Sequence, residues 1–388
     1  MIKNLLQFTA FIKSNATGGR ILIFCIILSL VMANSSFAEH FNNLLATHIG
    51  PKLNGVNLRY TTLEWINDGL MAIFFLLVGL EIKDEALNGE LSDIKSASLP
   101  IFAAIGGMLI PALLYWLINK NTITVGGWGI PMATDIAFVV AIINTIKSKV
   151  PLSLQVFIKA LAIVDDLGAI IVIAIFYNTG MHSTYLLLAL AMFVVQLFMN
   201  KLSVRYLWAY IIPGVFMWYF VHHSGIHATI AGVLTAIAIP HSVKAGVSPL
   251  KKLIHLLENP VNYFIIPVFA IANANIDIAG GLKNGTGISA LQGGILLGLI
   301  LGKPVGITLF SWIAVKLKLS KLSEGVRWPQ VWGIGQLAGI GFTMSIFMAL
   351  LSFSDVELQN TAKLTILIAS LLAAFFGYVV LNLKKIKA

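Results

Sequence analysis

Charge is scarce in this chain of 388 residues: Asp, Glu, Lys and Arg together make up 11% of it, less than half the share usual in soluble domains. With 58% hydrophobic residues, so few charges cannot clothe a water-soluble surface, and the chain is expected to be an integral membrane protein. Cysteine is rarer still. The single Cys25 lies among Ile and Leu, which excludes an intrachain disulfide and reads as a small buried hydrophobe. No cluster of His and Cys exists that would favour a transition metal, and no cofactor is expected. No polar stretch is long enough to fold by itself, so residues 1–388 are read as one membrane domain. The net charge of +10 is spread between apolar runs rather than gathered in a patch, which argues against a nucleic-acid partner and leaves membrane lipid as the expected surroundings.

What is present is a succession of apolar runs of membrane-spanning length. Windows of about 20 residues predict twelve spans, at roughly 15–35, 63–83, 97–118, 127–146, 152–177, 183–200, 206–223, 225–240, 258–276, 288–315, 330–353 and 360–383. The run Ile21 to Ala33 followed by Ser36, Phe37 and Ala38 imitates a cleavable signal peptide. The stretch before it, with Lys3, Lys13 and Arg20, is long for such a signal, so a retained first span is expected, preceded by an interfacial amphipathic helix over residues 2–14. With both termini cytoplasmic, Lys83, Lys95, Lys147, Lys149, Lys201, Arg205, Lys244, Lys251 and Lys252 among others fall inside, whereas the outer segments keep only Lys52, Arg59, Lys120, Lys283 and Lys363. That asymmetry sets the orientation. The outer loop 36–62 contains Asn54-Gly55 between apolar residues, a strong hairpin signal. Either it is a solvated turn or its free edge pairs with a second copy of the chain.

An internal echo accompanies the spans. Trp128-Gly129-Ile130-Pro131-Met132-Ala133-Thr134-Asp135-Ile136-Ala137-Phe138 aligns loosely with Trp332-Gly333-Ile334-Gly335-Gln336-Leu337-Ala338-Gly339-Ile340-Gly341-Phe342. The fourth and eleventh spans that carry these stretches run in opposite senses, as inverted repeats require, and the repeats are placed roughly at 97–177 and 288–383. Pro131 in one and Gly335, Gly339 and Gly341 in the other predict that both helices are interrupted. Paired interruptions of this kind mark substrate sites in transporters.

Polar side chains inside the spans are few: Glu81, Thr134, Asp135, Lys159, Asp165, Asp166, Lys303, Thr343 and Ser345. Each ionised Asp at a helix centre costs roughly 2.5 to 3.5 kcal/mol on insertion scales, so the adjacent pair Asp165-Asp166 implies a use for protons or cations. Oxygen ligands of this kind suit a small hard ion. Neighbours on a helix point about 100° apart, so one Asp leads and the other seconds it. A proton and a sodium ion compete for the same oxygens, and competition at one alternately exposed site suffices for exchange. Lys303, between Gly302 and Pro304, is the natural counter-charge; it either releases its carboxylate when the cation arrives or neutralises the site in every state. Asp135 reads as a compensator of exposed helix ends in preference to a cation ligand, and Lys159 as a lysine snorkelling to the cytoplasmic side. His227 either senses pH or is hydrogen-bonded structurally. Glu81, Lys83, Asp84 and Glu85 form either an ion-attracting funnel or a solvated helix end, and Asp68 reads as a helix N-terminal acid. An intramembrane aspartyl protease using Asp135 and Asp165 lacks its Gly-x-Gly-Asp context here, and a cation channel is disfavoured by the lysine beside the acids; no enzyme activity is expected.

The stretches Phe74-Phe75-Leu76-Leu77-Val78-Gly79-Leu80-Glu81, Ala133-Thr134-Asp135-Ile136-Ala137-Phe138, Ala160-Leu161-Ala162-Ile163-Val164-Asp165-Asp166-Leu167-Gly168, Gly225-Ile226-His227-Ala228-Thr229, Phe269-Ala270-Ile271-Ala272-Asn273-Ala274, Gly302-Lys303-Pro304 and Gly339-Ile340-Gly341-Phe342-Thr343-Met344-Ser345 closely resemble the bacterial NhaA-type Na⁺/H⁺ antiporters. The resemblance covers nearly the whole chain. It implies an all-α polytopic fold of twelve helices with inverted repeats, in which interrupted helices four and eleven cross, together with a small extracytoplasmic β-hairpin near Asn54-Gly55 that joins a homodimer. It further implies an inner-membrane exchanger of Na⁺ or Li⁺ for H⁺ without cofactor, electrogenic and regulated by pH. Asp165 and Asp166 would be the ion-binding pair, Lys303 the titrating partner, and Thr134 and Asp135 part of the crossing. Glu81, Lys83, His255 and His227 would serve the pH response. Two positions depart from the family pattern: Asp84 follows Lys83 where a basic residue is expected, and Ile254 replaces the acid expected before His255.

Overall fold

The computed structural model describes residues 2–53, 56–146, 150–178, 180–241, 248–278, 288–322 and 325–382. It is mostly helical. Seven described helices are long and apolar enough to cross a membrane, among them Thr62–Asn88, Val125–Thr145, Ala290–Lys316 and Val356–Asn382. Two further helix pairs pass the same test but are sharply bent: Gly18–Ala33 with Ala38–Ala46 at 109°, and Trp328–Ala338 with Phe342–Ser352 at 50°. Helix Leu152–Phe176 is equally long but carries Lys159, Asp165 and Asp166, and Trp208–His223 and Ile230–Ala238 are apolar but shorter. The ninth expected span begins earlier than its apolar core suggests, because Ser248 caps an amphipathic turn that runs straight into it, giving one helix over Pro249–Asn273. The expected amphipathic segment 2–14 is the first part of a continuous helix Ile2–Ala33.

The chain divides into two compact units. One comprises Met1–Ile21, Glu85–Ala169 and Ile276–Ala388; the other Leu22–Asp84 and Ile170–Asn275. In the second unit, Leu76, Leu80, Tyr210, Ala236, Ile239, Leu250 and Leu253 form one buried core and Ala189, Met217, Val221 and Ala231 another. This unit also carries four short strands: β1 (His48–Ile49), β2 (Lys52–Leu53), β3 (Val56–Asn57) and β4 (Tyr60–Thr61). β1 pairs antiparallel with β4, His48 opposite Thr61, and β2 with β3, Leu53 opposite Val56. The predicted turn residues Asn54 and Gly55 lie outside the described residues, as do Lys147, Lys149, Lys244 and Lys283 of the loops.

In the first unit, helices Ile94–Asn119 and Lys303–Lys316 approach through small residues. A Cβ on Gly106 would run into the Gly306 carbonyl oxygen and the ring of Phe310, and one on Gly107 would lie 2.8 Å from Ile307 Cγ1. Small residues that let backbones close up are how helices pack where lipid supplies no hydrophobic drive. This approach brings Lys303 to the acidic centre of the same unit.

Candidate functional site

The fourth apolar segment does not run through as an α-helix. With three glycines and Pro131 in its first half, Val125–Met132 winds as a 3-10 helix, then Ala133 and Asp135 are extended before the α-helix Ile136–Thr145. The eleventh segment breaks between Ala338 and Phe342, where Gly339, Ile340 and Gly341 interrupt it. The two breaks meet each other. The Asp135 amide donates to the Ile340 carbonyl at 2.7 Å, the Thr134 hydroxyl to the Ala338 carbonyl at 2.9 Å, and the Ser345 hydroxyl to the Ile130 carbonyl at 2.8 Å. Interrupted helices strand backbone groups that lipid cannot satisfy, and here each break answers the other's.

Asp135, 2% exposed, serves two helix starts at once. Its Oδ1 accepts from the Phe138 amide of its own helix, and its Oδ2 accepts from the Thr343 amide at 3.0 Å and from the Thr343 hydroxyl. A carboxylate at two N-termini offsets the partial positive charge of both.

On the other side of the break stands Lys303, 1% exposed. Its Nζ donates to Asp165 Oδ2 at 2.6 Å and to Thr134 Oγ1 at 2.9 Å. Thr134 in turn donates to Ala338, the last residue of helix Trp328–Ala338. The ammonium is therefore relayed to a helix C-terminus, where the dipole favours positive charge. Asp165 is 2% exposed and Asp166 8%. Among the described residues, Asp165 Oδ1 is buried and receives no hydrogen bond. A carboxylate with one oxygen held by an ammonium can offer the lone pairs of the other to a hard cation or to a proton.

The remaining expected residues fall elsewhere. Glu81, Lys83, His227 and His255 belong to the second unit. Lys83 donates to the Ile237 and Ile239 carbonyls at 2.5 and 2.6 Å, closing the C-terminus of helix Ile230–Ala238 as a cation should. Glu81 is half-buried and His255 exposed. Asp84 faces Lys251 at 3.9 Å, and Glu85 pairs with Lys159 at 3.3 Å in the first unit. Lys159 thus has a definite acidic partner, one the span pattern alone did not supply. Asp68 is more than a helix-start acid: its oxygens lie 3.6 Å from His222 Nδ1 and 3.5 Å from His227 Nε2. The only sequence signal for that grouping is three titratable residues at matching ends of three spans. Among the described residues, no three His, Cys, Asp or Glu side chains gather to hold a metal.

Comparison with known proteins decides the family. Residues 9–381 match the family described as Na⁺/H⁺ antiporter 1. The chain belongs to that family. It is 52% identical over 381 residues to a protein of Flavobacterium johnsoniae named Na(+)/H(+) antiporter NhaA 2, covering 98% of this chain and 93% of the relative. It is 49% identical over 371 residues to the Na(+)/H(+) antiporter NhaA of Flavobacterium psychrophilum, with 96% and 94% covered. With the protein of the same name from Citrobacter koseri it shares 47% over 372 residues, with 95% and 96% covered. The family consists of membrane transporters, not enzymes.

Proposed function

We propose that this chain exchanges cytoplasmic Na⁺ or Li⁺ for external H⁺ across a bacterial inner membrane; its relatives are named Na(+)/H(+) antiporters. The observation that carries the reading is the buried Lys303–Asp165 pair, in which the second carboxylate oxygen receives no hydrogen bond among the described residues. Asp165, seconded by Asp166, holds either a proton or the alkali ion. When the cation occupies Asp165, Lys303 loses its counter-ion; when the cation leaves, a proton returns to the site and the bridge reforms. Lys303, left without its counter-ion, gives up a proton beside the one displaced from the aspartates, so protons outnumber cations and the cycle moves net charge. Thr134 and Asp135 hold the crossing of the fourth and eleventh helices, around which two inverted repeats, roughly 97–177 and 288–383, rock within a twelve-span fold with both termini cytoplasmic. Glu81, Lys83, His255 and His227 tune the response to pH, and two copies join through the hairpin near Asn54-Gly55.

Everted membrane vesicles with a fluorescent ΔpH probe test the exchange. Added Na⁺ or Li⁺ should dissipate an imposed acid-inside gradient, whereas K⁺ should not. No Na⁺-dependent dissipation at any pH would remove the reading.

A further inference from the structure

Lys303 stands at the end of a distorted helix, and a residue on a different helix repairs the distortion. Between Ala290–Leu297 and Lys303–Lys316 the chain makes one π-helical turn, Gly298–Gly302, in which the Lys303 amide donates to the Gly298 carbonyl. Two carbonyls lose their usual partners there. The α-helical donor to Leu299 would be Lys303, now drawn to Gly298, and the donor to Ile300 would be residue 304, which is Pro304 and has no N–H. Single π-turns of this kind are recurrent at functional sites.

The Gln336 side chain supplies the missing donor. Its Nε2 reaches the Ile300 carbonyl at 3.2 Å. Gln336 is 6% exposed and lies on Trp328–Ala338, the first half of the interrupted eleventh helix. Neighbouring glycines bring it close: a Cβ on Gly335 would lie 2.7 Å from Pro304 Cα, and one on Gly339 would meet the Leu299 carbonyl oxygen. The same half-helix ends at Ala338, which accepts from Thr134, which accepts from Lys303. The contacts therefore close a ring running from the Lys303 ammonium through Thr134, Ala338, Gln336 and Ile300 back to the Lys303 backbone.

We infer that Gln336 is a positioning residue for the exchange site: by hydrogen-bonding the carbonyl that Pro304 leaves free, it ties the interrupted helix to the turn that aims Lys303 at Asp165. This rests on the proposed role of Lys303 and adds a residue to it. The Lys303 ammonium is held by Asp165 and Thr134, whereas Gln336 hydrogen-bonds the Ile300 carbonyl. Its Oε1 receives no hydrogen bond among the described residues, so an apolar residue of similar size removes one unmet acceptor while exposing another, and accumulation of the protein should not suffer. What should suffer is the register of Lys303.

The test is Na⁺-driven proton release by purified protein in proteoliposomes, comparing Gln336→Met, Pro304→Ala and the double variant, with Lys303→Ala as reference. Gln336→Met should change the Na⁺ concentration for half-maximal exchange by about fivefold, the factor that one ordinary net hydrogen bond represents, with a smaller change in maximal rate. Pro304→Ala restores a backbone N–H opposite Ile300, so the double variant should return toward the parent value. An unchanged half-maximal concentration in Gln336→Met, or no recovery in the double variant, overturns the proposal. Should Gln336→Met fail to accumulate, the double variant decides alone: parent-like exchange supports the proposal and impaired affinity overturns it. If Lys303→Ala itself leaves the Na⁺ dependence untouched, the fault lies in the reading of the exchange site.

Discussion

Replacing Asp165 by Asn separates the energetics of the buried pair from its function. Lys303 is 1% exposed and its ammonium has Asp165 Oδ2 at 2.6 Å and Thr134 Oγ1 at 2.9 Å. Asp165→Asn keeps the shape and removes the charge, leaving the ammonium with a hydroxyl and an amide. Breaking one partner of a buried pair costs roughly 3–5 kcal/mol, because the other charge stays without compensation. Lys303→Met leaves the Asp165 carboxylate equally stranded, since its Oδ1 already receives no hydrogen bond, and should cost a similar amount. Replacing both partners together removes both charges and should be neutral to within about 1–2 kcal/mol. The coupling read from the cycle should therefore exceed about 3 kcal/mol, a factor on the order of a hundred in the folded ratio. Unfolding of the four purified proteins in detergent measures it, and Na⁺-driven proton release in proteoliposomes is followed in parallel. The double variant should regain stability and remain without exchange. If it is no more stable than the weaker single variant, the pair is not coupled and the argument from its geometry fails.

Asp166→Asn should abolish exchange and leave membrane insertion and melting near the parent values; normal transport by this variant would contradict the placement of the ion. Asp135→Ala removes three acceptor contacts from two helix starts, at about 1 kcal/mol or more each, whereas Thr343→Val removes only the hydroxyl's share; thermal unfolding in detergent should rank Asp135→Ala well below Thr343→Val. Gly106→Leu drives a side chain into the Gly306 backbone and Phe310, and overpacking of this kind costs about 1–3 kcal/mol or more, read as lowered accumulation and melting temperature. Burial, helped by Tyr219, Asp68 and Glu64, pushes the Tyr60 hydroxyl up to about 12. Between its ordinary value near 10 and about 12 the folded chain then holds a proton that the unfolded chain has lost, so stability should fall as pH rises through that window and be untouched below it. Tyr60→Phe should flatten that loss in an alkaline unfolding series.

The helices were legible because lipid makes a simple demand: runs long and apolar enough to span, separated by polar loops. What composition blurred was the boundary. Pro249–Asn273 begins with Lys251, Lys252 and His255 on an amphipathic turn, so a window that scores apolar content starts the span several residues late. The interruption at Pro131 was readable from a residue that cannot donate, and that at Gly339 and Gly341 from residues that hold a helix poorly. The strand pair flanking Asn54-Gly55, β2 with β3, was readable from the turn signal, but the second pair, β1 with β4, had no turn of its own to announce it.

The site divides along the same line. Aspartates and a lysine in lipid-length runs declare themselves because each is too costly to be idle, and Asp165, Asp166, Asp135 and Lys303 were all visible for that reason. Their partners were not, since a hydrogen bond between Lys303 and Thr134 or between Thr343 and Asp135 joins residues 169 and 208 positions apart. Neutral amides are harder still. Gln336 costs less to bury than a charge and sits in a stretch whose glycines already explain its interruption, so nothing local marks it. Its role follows only from counting donors: Pro304 cannot serve Ile300, and a buried carbonyl in a membrane must be served by something. Each proline within a helix frees an acceptor, but the sequence holds several such prolines and several amides, so only the fold shows that the acceptor freed by Pro304 is met by Gln336.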